Sequence, residues 1–279
     1  MRPRTLIAAL VALALLGAVA FGGYTLLNML TKQALPWTDH CAATSGDWTV
    51  RLDPAQARNA AIIAGVAGRR GLPTQAVTIA LATAYQESGI RNLDYGDRDS
   101  LGLFQQRPSQ GWGTAAQVQD AYYSSNAFYA AMVQVKNWQT MDVGDVAQAV
   151  QRSGFPDAYD KHVTNAGVLA NALSGAAPAT FSCSSRATAT ADPAGLKQVL
   201  VATLSKKAVV DSAATTVTVT MPDATAAWSA AHIAIAFADT YGVKSVAVAD
   251  KTWSTGLMGG SWGTASTPAK ANQVVITLA

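Results

Sequence analysis

Residues 5–30 form an almost uninterrupted apolar run without one charged side chain. A helix of that length can cross a hydrocarbon core of about 30 Å, and it removes those residues from any water-facing fold. Arg2 and Arg4 precede it, which favours an N-terminus in the cytoplasm and a body outside the membrane. Ala18-Val19-Ala20 offers a signal-peptidase site as the alternative, but the apolar run continues through Tyr24-Thr25-Leu26-Leu27, too long for a usual signal h-region. The expectation is a single-pass cell-membrane protein with an extracytoplasmic body, or a secreted one after cleavage. Either way the body is exported.

Cysteine usage agrees with export. The chain has two cysteines, Cys41 and Cys183, and an even pair in an oxidising compartment usually closes a disulfide. Two buried free thiols are the alternative. A bridge across that interval would contribute on the order of 5 kcal/mol in the chain-entropy model. Neither cysteine has the neighbours of a catalytic thiol or a zinc site. With 50% hydrophobic and 13% charged residues the body can bury a large core, and the net charge is only +3. No basic stripe interleaved with aromatics is present, so nucleic acid is not an expected partner.

Residues 31–52 read as an irregular connector. Asp53-Pro54 then opens a helix, with Asp as N-cap and Pro at the first helical position. Ala57, Ala60, Ala61, Ala64 and Ala67 recur at helical spacing, and Arg69-Arg70-Gly71 makes a fitting end. A second helix starts at Pro73-Thr74. Val77, Leu81, Ala84 and Ser88 share one face of it, while Ala76, Ala80, Thr83 and Glu87 line the adjoining one. Residues 89–113 suit a short hairpin or irregular lobe. Helical patterns resume at 125–138, at 143–153 with Asp142 as cap, and at 157–173. A Ser/Ala/Thr/Pro-rich linker is expected at 174–192. Beyond it, 196–204 and 224–241 read as helices, and 216–220, 245–249 and 274–278 as strands, a small α/β-type unit with a right-handed parallel crossover. The fold class expected is therefore α+β.

Glu87 is the only glutamate in the chain. A lone carboxylate at the end of an apolar helix is where desolvation should raise a pKa. A carboxylic acid kept protonated near neutrality can hand a proton to a leaving oxygen. A helix-terminal carboxylate facing water is the plain alternative. Asp94, Asp97 and Asp99 lie in the loop that follows, and solvated turn residues account for them as well as a catalytic role does. Trp112, flanked by Gly111 and Gly113, suits either sugar stacking or anchoring of its loop.

Three other patterns lead nowhere. Asp97, Asp99 and Gly102 fit part of a calcium loop, but Leu101 and Pro108 stand where oxygen ligands are needed. Gly259-Gly260-Ser261-Trp262-Gly263 matches a nucleophile elbow in letters only, since no histidine follows it, and it reads as a glycine-rich loop between strands. His40, His162 and His232 are scattered without metal-ligand spacing. No metal and no cofactor is expected.

Glu87-Ser88 followed by Gly102-Leu103-Phe104-Gln105 resembles the soluble lytic transglycosylase family and its goose-type lysozyme relatives. There a helix-terminal Glu-Ser precedes a Gly-Leu-Met-Gln-type segment, and Phe104 takes the methionine place. Residues 147–159 resemble the family's Ala-Tyr-Asn-Ala-Gly segment and the tyrosine after it, with Val150 for the tyrosine, Gln151 for the asparagine and Tyr159 as the later tyrosine. The resemblance covers about 53–173.

It implies a mostly helical lysozyme-like domain over 53–173; it covers nothing after the linker, where 193–279 is read from its own pattern as a small α/β accessory domain. The implied activity is cleavage of the β-1,4 bond between N-acetylmuramic acid and N-acetylglucosamine in peptidoglycan. Glu87 would be the single acid and base, and Ser88, Gln105, Trp112, Gln151 and Tyr159 would bind substrate. A muramidase with Asp94, Asp97 or Asp99 as second carboxylate is the alternative chemistry. A non-catalytic wall-binding protein, or an envelope-assembly protein that binds its partner through the C-terminal part, is the alternative of another class.

Overall fold

In the computed structural model, which describes residues 39–153, 156–185, 189–256 and 259–279, Asp53 caps the first helix in both directions. Its carboxylate accepts from the Gln56 amide N–H at 2.8 Å, and the Asp53 N–H donates to Gln56 Oε1 at 2.9 Å. Two donors that the helix start would otherwise leave unpaired are thereby satisfied. The helix, α1 (Pro54–Arg69), buries the alanine stripe together with Ile62, Ile63 and Val66. The expected anchor or signal at 5–30 lies outside the described residues. Among the described residues no helix is long and apolar enough to cross a membrane.

Helix α2 (Thr74–Ser88) is the central element. Ala76, Val77 and then every residue from Ile79 to Ala84 are buried, so it is enclosed on all sides and not only along a stripe. Its enclosure comes from α1, from α4 (Ala121–Met132), from α5 (Val143–Gln151) and from α6 (Val163–Leu173), with the short α3 (Ala115–Gln119) leading into α4. Two helical expectations are corrected here. The pattern at 125–138 is a helix only to Met132, followed by turns through Trp138. The pattern at 157–173 is a 3-10 segment, Pro156–His162, that turns into α6.

The expected irregular connector contains a hairpin, β1 (His40–Ser45) and β2 (Trp48–Leu52), and the expected linker contains β3 (Phe181–Ser184). The three form an antiparallel sheet in the order β2-β1-β3. Cys41 lies opposite Cys183 in the β1/β3 ladder, and the two are joined as a disulfide. Alternation of the small polar residues in these strands hid them, because one side of the sheet is solvated and the buried side carries only a few side chains.

The last stretch comprises α7 (Pro193–Thr203), α8 (Ala224–Ala236), α9 (Ala238–Tyr241) and a six-stranded sheet. Its strands β4 (Val209–Ala213), β5 (Thr216–Thr220), β6 (Val243–Val248), β7 (Lys251–Ser254), β8 (Ser261–Thr264) and β9 (Gln273–Leu278) run in the order β4-β5-β9-β6-β7-β8. Every neighbouring pair is antiparallel. The expected parallel crossover is present in split form: β5 and β6 are parallel to each other and joined through α8 and α9, with β9 between them and antiparallel to both. The glycine-rich stretch after Gly260 is itself an edge strand, β8. Val217, Val219, Val246, Val248, Val274 and Ile276 make the buried face.

Residues 39–279 form one compact mixed α+β unit whose buried apolar core runs without interruption through both halves. Polar ties reinforce the joint. Arg58 pairs with Asp239 at 2.8 Å, Arg69 Nη1 donates to the Val201 and Leu204 carbonyls, and Trp262 Nε1 donates to the Phe181 carbonyl at 2.8 Å. His232, buried in α8, hydrogen-bonds the Ala172 carbonyl through Nδ1 at 2.7 Å, while its Nε2 has no partner among the described residues.

One tight part of the joint is Gly65 of α1. A Cβ there would run into the Cγ2 and carbonyl of Thr203 at the end of α7. Thr203 cannot give way, because it is buried and its hydroxyl is held by the Val199 carbonyl and Tyr122. Gly65→Ala is expected to cost about 1–3 kcal/mol. Gly68→Ala, one turn on and facing open space, is expected to stabilise by up to about 1 kcal/mol. Denaturant midpoints of the two variants check this; equal shifts would remove the close approach as the reason for Gly65.

Candidate active site

Helix α2 ends where its burial ends. Gly89 turns the chain in the left-handed region at φ 64°, and Ile90 drops back into the core with its N–H on the Ala84 carbonyl. Ser88 then clamps the following segment. Its hydroxyl donates to the Leu103 carbonyl at 2.7 Å and also lies 3.1 Å from the Ala84 carbonyl, while accepting from the Arg91 N–H. Leu103 and Phe104 are fully buried, Phe104 stacked on Phe128 with ring centroids 4.6 Å apart. Gly102, at φ 77°, leaves no room for a side chain, since a Cβ would strike the Val118 carbonyl. Gln105 closes the turn at φ 47°.

A second reversal faces the first. Helix α5 stops at Gln151 because Arg152 adopts φ 54°, ψ 42°. This reversal sets Gln151 Nε2 on the Phe104 carbonyl at 2.7 Å, with the same amide close enough to the Glu87 carboxylate to favour its ionised form. From the 3-10 segment, the Tyr159 hydroxyl donates to Glu87 Oε1 at 2.7 Å. Gln148 Nε2 fixes the Ser153 carbonyl at 2.7 Å.

These pieces line one groove of about 870 Å³, at the roomy end of the roughly 300–1,000 Å³ usual for ligand sites. Glu87, Gln105, Trp112, Gln151 and Arg152 contribute, with Gln110 and Gln134 on other elements. Planar amides with both donor and acceptor ends, beside one indole face, are a surface suited to hydroxyl-rich ligands.

The electrostatics single out Glu87. Burial is the dominant influence and raises its pKa above the ordinary 4.5; the hydrogen bonds from Tyr159 and Gln151 pull the other way. Burial also raises Tyr159, and the neighbouring Glu87 adds to that, so the phenol stays protonated as a donor. Asp99 behaves oppositely. The Ser109 backbone N–H, Arg107 and the Ser109 hydroxyl hold its carboxyl well below the usual carboxylate range, and all of its bonds are to the protein itself.

The expected site residues thus divide. Glu87, Gln105, Trp112, Gln151 and Tyr159 come together, Trp112 packing against the core while lining the groove. Ser88 does not line the groove; it secures the Leu103 segment. Asp97 lines the groove with a side chain 92% exposed, Asp94 is exposed elsewhere on the loop, and Asp99 is committed to Arg107 and Ser109. Sequence reasoning missed Gln134, Arg152 and Ser153. Gln134 comes from beyond α4 and has no local pattern to betray it; Arg152 and Ser153 follow directly on Gln151, and the reversal that presents them has no glycine to announce it. His162, stacked on Tyr85 and hydrogen-bonded to Gln86, sits just behind the helix end. No cluster of three metal-ligating side chains exists among the described residues.

No protein-family model matches the chain, and no curated protein matches it.

The raised pKa has a consequence for stability. Below the ordinary carboxylate pKa both folded and unfolded states hold the Glu87 proton, and there is no penalty. As pH rises, the unfolded chain ionises first, so folding loses stability across the interval up to the raised folded value and does not regain it. Glu87→Gln removes this term. The variant is expected to be more stable than the wild type at about pH 7 and indistinguishable at about pH 3.5, as measured by thermal melts at both pH values. A constant difference at both would disprove the burial effect.

Proposed function

We propose that this chain is a peptidoglycan lytic transglycosylase that cleaves the β-1,4 bond between N-acetylmuramic acid and N-acetylglucosamine. Glu87 protonates the glycosidic oxygen of the leaving N-acetylglucosamine. The resulting carboxylate then takes the proton from the muramic acid 6-hydroxyl as that oxygen bonds to C1, so the product carries a 1,6-anhydro ring and no water is consumed. Gln105, Gln151 and Trp112 hold the sugars, and Tyr159 holds Glu87.

The observation that carries this reading is the solitude of Glu87. It is the one partly buried carboxylate in the groove among the described residues, gripped by Tyr159 and Gln151. An inverting hydrolase needs a second carboxylate held at about 6.5–9.5 Å. A base that activates water must be positioned to about 0.5 Å, which a side chain as exposed as Asp97 does poorly. The muramic acid hydroxyl avoids that need because it is already tethered. The lysozyme-like relationship of residues 53–173 belongs to the same proposal. So does the exported, membrane-anchored location, with which the Cys41–Cys183 disulfide is compatible.

Asp97 motivates the one competing chemistry, because it does reach the groove. Mass spectrometry of a peptidoglycan digest separates the two, since anhydro and reducing ends differ by one water. Anhydro ends are expected, with Glu87→Gln lowering the rate by about 10²–10⁴-fold and Asp97→Asn leaving the products unchanged. Reducing ends that disappear in Asp97→Asn would make the enzyme a muramidase. No turnover at all would leave a wall-binding protein.

A further inference from the structure

The groove holds two guanidinium groups among the described residues, and the fold employs only one. Arg107 is ion-paired with Asp99 at 2.9 Å. Arg152 lines the same groove, is exposed, and its guanidinium meets no carboxylate and no carbonyl among the described residues. Its backbone explains the turn, because the Arg152 N–H closes α5 on the Gln148 carbonyl at 2.8 Å. It does not explain the side chain. At φ 54° glycine or asparagine would close the helix with less strain, since the left-handed region costs a residue with a long side chain of order 1 kcal/mol. Nor does Arg152 tune the acid: burial, Tyr159 and Gln151 are what act on the Glu87 proton. A cation near a helix C-terminus is mildly favourable, but a lysine or arginine anywhere in that last turn would give as much without the strained position.

What remains is a fork of donors, unpaired among the described residues, in a groove whose other charged side chains are Glu87, Asp97 and the ion-paired Arg107 and whose neutral amides are Gln105, Gln110, Gln134 and Gln151. A guanidinium there matches a carboxylate in bidentate fashion. We propose that Arg152 is a specificity residue that binds a carboxylate on the glycan, so that the groove prefers anionic glycan strands over neutral ones. The inference rests on the glycan reading of the groove given above. In peptidoglycan the carboxylate has two sources, the lactyl group of muramic acid where the peptide has been removed, and the stem peptide where it is present.

The test is binding to the Glu87→Gln protein, in which turnover is slowed about 10²–10⁴-fold, with three probes: a peptide-free muramic acid oligosaccharide, a peptide-bearing one, and a neutral chito-oligosaccharide of the same length. Calorimetry is expected to show that adding Arg152→Gln weakens at least one carboxylate-bearing probe about tenfold or more and leaves the chito-oligosaccharide unchanged. Arg152→Lys should recover part of the loss, because it restores the charge without the fork. The probe that responds identifies the source of the carboxylate. Equal weakening of all three probes, or of none, overturns the role of Arg152 and leaves the glycan groove standing. Failure of every probe to bind the parent overturns both.

Discussion

A helix buried on every side has to be surrounded before anything else in the body can settle, and α2 imposes that condition here. From Ile79 to Ala84 no residue of α2 faces water. Neighbouring helices cover it, and the hairpin, the disulfide strand and the C-terminal sheet extend the same core outward. Beyond Ala84 the enclosure fails in the last turn, where Tyr85, Gln86, Glu87 and Ser88 are half-buried, as Thr74, Gln75 and Thr78 are near the start. A single carboxylate carried to the point where a core opens into a groove has partial burial as a consequence of its place in the fold. Its perturbed pKa needs no charged partner, and burial accounts for the direction.

The other half of the site depends on two chain reversals meeting across that helix end. Ser88 and Gln151 bond the carbonyls of Leu103 and Phe104, so adjacent peptide units of one buried turn are gripped from opposite sides. Backbone carbonyls cannot move independently of the core residues that carry them, and Leu103 and Phe104 are fully buried. Gln105, Gln151 and Glu87 are therefore referenced to one rigid turn. The arrangement is what a site needs if it must hold a substrate closely.

How much of this could be read beforehand varied with the range of the determining interactions. The helix cap at Asp53 acts over a few residues, and its signature was visible. Cys41 and Cys183 were visible as a pair because only two cysteines exist. Glu87, Gln105, Gln151 and Tyr159 were brought together by the resemblance, with periodicity contributing only the end of α2. The strands in residues 40–52 and 181–184 escaped notice because short strands with one solvated face carry little local signal, and β3 finds its partner β1 only across the helical segment. The continuity of the core across residues 174–192 was likewise invisible. It arises from Gly65 against Thr203 and from His232 against Ala172, contacts between segments far apart in the chain. Ser88 looked like a substrate ligand for the same reason: the Leu103 carbonyl it holds is brought to it by folding.

The opposing influences on Glu87 suit a group that must give up a proton and then take one back. Burial favours the neutral acid before reaction, while the Tyr159 and Gln151 donors favour the anion once the proton has left. Had burial acted alone, the anion left by proton transfer would be costly; had the donors acted alone, the acid would be ionised before any substrate arrived. Tyr159 meets the carboxylate at Oε1, and in the proposed mechanism that same carboxylate meets first the glycosidic oxygen and then the 6-hydroxyl.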